Sequence, residues 1–134
     1  MSIVVAVIAA ALSLFTAYSY SQAGLMKAKA TKQDLLNAGF GWMEKQPQAV
    51  GKLIGWLEIL GSAGLVLGPL GYFLGFEWSI WFGIAAALGL ALIMIGAIIV
   101  HAVRKETPYT IKMNMKLFLV AFFSAVGWVA FLGF

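Results

Sequence analysis

Glu58 stands between Trp56-Leu57 and Ile59-Leu60, and no basic residue lies between Lys52 and Arg104. His101, the one histidine, closes another apolar stretch. A carboxylic acid and an imidazole can act as general acid and general base near neutral pH. Set together in an apolar interior, they could pass protons to an oxygen of a bound molecule. They are therefore the catalytic candidates. The competing reading is that a buried acid only glues helices together, which is worth about 0.6 kcal/mol on average. An ionisable residue inside a membrane segment is otherwise read as a functional site.

The elements that would position these groups follow from composition. The 134 residues are 63% hydrophobic and 10% charged, with a mean hydropathy of +0.96. A chain this size could not hide so much apolar surface from water, so its solvent is lipid. Four apolar runs stand out, over 3–20, 53–72, 80–103 and 117–134. Each has roughly the length that crosses a bilayer as a helix. None shows the alternation of a membrane β-strand. The fold class is thus all-α, an integral membrane four-helix bundle forming one domain over 1–134. No Lys or Arg precedes the first run, so it is expected to be a retained helix and not a cleaved signal.

Charge placement suggests orientation. Lys27, Lys29, Lys32, Lys45 and Lys52 lie between the first two runs. Arg104, Lys105, Lys112 and Lys116 lie between the last two. These are all nine basic residues, and the positive-inside rule puts both segments in the cytoplasm with both termini outside. The net charge of +4 therefore speaks for orientation and not for nucleic acid. Tyr72, Trp78 and Trp81 would form the outer aromatic belt, and Tyr18, Tyr20, Trp56 and Tyr109 the inner one.

Helical phase locates the acid. With Gly51 at zero, Gly55 falls near ~+40°, Glu58 near ~−20° and Ser62 near ~+20°. Small residues mark faces where membrane helices approach closely, so Glu58 should face the bundle interior. Gly51, Gly55, Gly61, Ser62, Gly64, Gly68 and Gly96 are the expected packing residues. Glu58 lies about 9 Å past Lys52 at the helical rise, and His101 falls in the same leaflet. Tyr18 and Gln22 end the first helix there, and Asn114 begins the fourth. His101 is the expected partner of Glu58, with Tyr18 second, and the acid is expected to be largely protonated. Between the first two runs, "TKQDLLNAGFGWMEK" (31–45) starts with a capping box, Thr31-x-x-Asp34. It could lie as one amphipathic helix in the inner interface.

Three stretches carry a family resemblance. They are "QAGLMKAKA", "GKLIGWLEILGSAGLVLGP" and "ALIMIGAIIVHAVRKE". Their Gly24-Leu25-x-Lys27, Gly55-x-x-Glu58-x-x-Gly61 and Gly96-Ala97-x-x-x-His101 resemble the DoxX-like family of small bacterial membrane proteins. The resemblance implies a multi-pass protein of the bacterial inner membrane. Some relatives are linked to quinone-dependent oxidation, and others act as assembly factors. The expected ligand-binding set is Glu58, His101, Tyr18, Gln22, Lys27, Trp56 and Asn114. The expected function is an accessory subunit of a quinone-linked membrane redox system. A scaffold or assembly factor is one alternative, and a proton-coupled transporter another. Without cysteine and with one histidine, the chain is poorly equipped for haem, metal or iron–sulfur clusters. It is therefore not expected to catalyse redox chemistry alone. Its ligand would be a quinone or lipid, none held covalently. Its partners would be the bilayer and either a membrane protein or a second copy of the chain.

Overall fold

The computed structural model describes residues 2–105 and 108–134. Four long helices dominate: α1 (Ser2–Lys29), α3 (Gln48–Phe73), α4 (Ser79–Val103) and α5 (Pro108–Phe131). All four are long and apolar enough to cross a membrane. Between α1 and α3 lie a short α2 (Lys32–Asn37) and a 3-10 segment, Gly41–Lys45. Lipid offers no partners for backbone polar groups, which is why the apolar runs are helical throughout.

The helices extend past the apolar runs where the sequence still favours helix. Helix α1 continues through "SQAGLMKAK", rich in good helix formers. Helix α3 begins straight after Pro47. Helix α5 begins at Pro108, a residue suited to a first helical turn. It stops before Gly133, whose φ of 92° ends the helix. Tyr109, expected in the inner aromatic belt, has a side chain outside the described residues.

Packing runs in a ring: α1 on α3, α3 on α4, α4 on α5 and α5 on α1. Successive spanning helices run antiparallel, with short connections from α3 to α4 and from α4 to α5. The four nearby ends at 29, 48, 103 and 108 form one basic end of the bundle. Large apolar side chains such as Ile3, Phe15, Leu60, Phe82 and Leu92 are exposed around the outside, as lipid requires. The chain is a multi-pass four-helix membrane protein.

Two contacts set the helix spacing. A Cβ at Gly55 would lie 2.6 Å from the Ala28 nitrogen and 2.6 Å from the Gly24 carbonyl oxygen, so α1 and α3 touch backbone to backbone. Gly68 and Gly83 bring α3 and α4 together in the same way. Along α1 and α5 a polar seam holds the pair in register. The Trp128 indole N–H donates to Ser13 Oγ at 2.7 Å, Thr16 and Ser124 hydroxyls bond at 3.1 Å, and Tyr20 donates to the Leu117 carbonyl at 2.9 Å.

Segment 31–45 is not one helix. The Thr31–Asp34 capping box forms and starts α2, and the N–H of Thr31 bonded to the Asp34 carboxylate keeps that acid below its usual range. The chain then turns at Gly39, with φ of 96°, a conformation that breaks the helix and suits glycine. Leu35 and Met43 are buried and lie over Gly51 of α3. This segment therefore roofs the basic end of the bundle.

Candidate ligand pocket at the basic end

Glu58 has no exposed surface. Its partner is Lys27, whose Nζ donates to Oε1 at 2.6 Å. The partner is thus Lys27 of α1, in place of the expected His101 or Tyr18. Side-chain direction explains the meeting. Helical side chains lean toward the N-terminus of their own helix. On antiparallel α1 and α3, Lys27 leans into the membrane and Glu58 leans toward the basic end. The Gly24–Gly55 contact brings the two backbones close enough for both to reach.

The pair adjoins a cavity of about 290 Å³. Its polar lining is Lys27, His101 and Asn114. Phe40 and Trp42 from the roofing segment close it above, and Ile54, Ile93, Met94, Ala97 and Val100 form apolar walls. Lys27 Nζ also lies 5.7 Å from the centre of the Phe40 ring, a cation–π distance. Gly96 lines the cavity and is exposed, and among the described residues a Cβ there would meet nothing within 4 Å. The two exposed lining residues, Gly96 and Val100, both belong to α4.

Two buried polar atoms have no hydrogen-bond partner among the described residues: Glu58 Oε2 and Asn114 Nδ2. Leaving such atoms unmatched costs roughly 1–3 kcal/mol each. Of the two residues Asn114 lines the cavity, and there a further polar molecule would be favourable. The described residues contain no group of three or more His, Cys, Asp or Glu that could hold a metal ion.

The sequence-derived set divides cleanly. Lys27, Glu58, His101 and Asn114 are buried at the basic end. Tyr18 and Trp56 are exposed on the lipid-facing surface, and Gln22 is exposed as well. These three lie outside the cavity lining, and Glu58 is outside it as well, joined to it through Lys27. A turn of about 100° per residue puts Tyr18, Gln22 and Trp56 on other faces of α1 and α3. Among the packing residues, Gly51, Gly55, Ser62 and Gly68 are buried. Gly61 abuts Leu90 and Gly64 abuts Ala86. Among the described residues nothing lies within 4 Å of a Cβ at Gly96, which lines the cavity instead. Phe40 and Trp42 are site residues that sequence reasoning had read only as an apolar interfacial face. The signal for Lys27 as partner was present: Ser13, Thr16, Tyr20, Gly24 and Lys27 follow one another at helical spacing on the inward face of α1.

A model of the DoxX-like family matches residues 4–126. No curated protein matches the chain, and neither does any solved structure.

Proposed function

Since this chain belongs to the DoxX-like family, we propose that it is an accessory subunit of a quinone-linked redox system in the bacterial inner membrane. The single observation that carries the reading is the cavity beside the Lys27–Glu58 pair, whose exposed lining residues, Gly96 and Val100, lie on α4. Ligand sites are concave and mostly apolar, with a few placed polar groups. A volume of about 290 Å³ suits a ring-sized head group whose tail remains in lipid. Lys27 and Asn114 offer N–H donors to a carbonyl oxygen, and Phe40 and Trp42 offer ring faces. Electrons would come from a partner protein, while this chain binds and orients the quinone.

Tryptophan fluorescence tests the reading, because Trp42 lines the cavity. Protein in lipid nanodiscs is titrated with a short-tailed naphthoquinone. The expected result is a saturable quench that Trp42→Phe largely removes. A linear, unsaturable quench identical in both proteins overturns it.

We also place the basic end of the bundle in the cytoplasm, on the charge distribution. In intact cells an impermeant thiol reagent should label Glu77→Cys and leave Lys112→Cys untouched. The reverse pattern would invert the protein in the membrane.

A further inference from the structure

We infer that the Asn114 side-chain amide is the docking donor for an acceptor oxygen on the head of the bound molecule. The inference rests on the ligand-binding reading above and specifies how that ligand is recognised. Asn114 lines the cavity and is only 6% exposed. Its Nδ2 has no hydrogen-bond partner among the described residues. Buried amide N–H groups are nearly always paired, so this one calls for an acceptor from a molecule in the cavity. Asn114 lies in the first half of α5, across the cavity from Lys27 near the end of α1. The Lys27 ammonium shares its N–H donors with Glu58, whereas the Asn114 amide donor is committed to no group among the described residues. The remaining lining is apolar or aromatic apart from His101. A flat, lipid-soluble ring bearing a carbonyl oxygen meets these demands. A hydrocarbon of the same shape would fill the walls and leave the amide unmatched.

The experiment compares two probes in nanodiscs: a methylated naphthoquinone and the methylnaphthalene of the same carbon skeleton. Wild-type protein should prefer the quinone by at least roughly 2- to 12-fold, the ratio one hydrogen bond typically supplies. Asn114→Leu, close in volume, should lower that preference by about this factor while methylnaphthalene binding holds. In the wild type, infrared spectra of the bound quinone should show one carbonyl stretch lowered by hydrogen bonding, and this readout needs no variant. If Asn114→Leu weakens both probes equally, or the carbonyl stretch is unshifted, the docking role is overturned and the pocket reading stands. If neither probe binds the wild type saturably, the pocket reading falls and the docking role falls with it.

Discussion

Glu58→Leu should lower the melting temperature of the detergent-solubilised protein by about 10 °C or more, the largest loss expected from any single substitution in the bundle. The change removes the carboxylate and leaves the Lys27 ammonium buried without its counter-charge. Breaking a buried ion pair from one side costs roughly 3–5 kcal/mol, and each kcal/mol is worth a few degrees in a chain of this size. Lys27→Met should be damaging for the converse reason. The double variant Lys27→Met/Glu58→Leu should recover most of the loss, because two apolar side chains of similar volume need no counter-charge. Additive losses in the double variant would mean that the two residues act separately.

Gly55→Leu should be the next most damaging change. A Cβ at Gly55 already falls 2.6 Å from backbone atoms of Gly24 and Ala28. Backbone cannot swing aside as a side chain can, so α1 and α3 must part. Overpacking of this kind costs typically about 1–3 kcal/mol, and the separation would also pull Lys27 away from Glu58. Gly96→Leu is the natural comparison, since among the described residues nothing lies within 4 Å of its Cβ position. Its thermal stability should stay within about 0.5 kcal/mol of wild type. Equal losses at both positions would contradict the helix packing described above.

The four spanning helices were legible in the sequence because lipid leaves apolar runs of that length one backbone solution. Helical phase likewise put Gly51, Gly55, Glu58 and Ser62 on a single face, and all four are buried. The partner of Glu58 was harder to read. Taking the first helix to end at 20 made Lys27 look like a loop charge, whereas α1 runs to Lys29 and keeps Lys27 on its inward face. Hydropathy marks where a helix leaves the hydrocarbon and not where its hydrogen bonding stops. Tyr18, Gln22 and Trp56 shared the right depth but not the right phase, and depth alone cannot bring side chains together. Phe40 and Trp42 reach the cavity through the break at Gly39. Periodicity over 31–45 treats that stretch as a continuous helix and cannot see the turn.

The most direct test is naphthoquinone binding to the Lys27→Met/Glu58→Leu protein in nanodiscs. If the ion pair serves only helix packing, the double variant should bind as the wild type does once it is stable. If the pair organises the polar end of a ligand pocket, removing it takes away the ammonium lining the cavity. A hydrogen bond to a charged group is worth about 1.5–3 kcal/mol. The predicted result is a folded protein of near wild-type stability whose affinity for the quinone is lower by about tenfold or more. Wild-type affinity in the stable double variant would contradict the account.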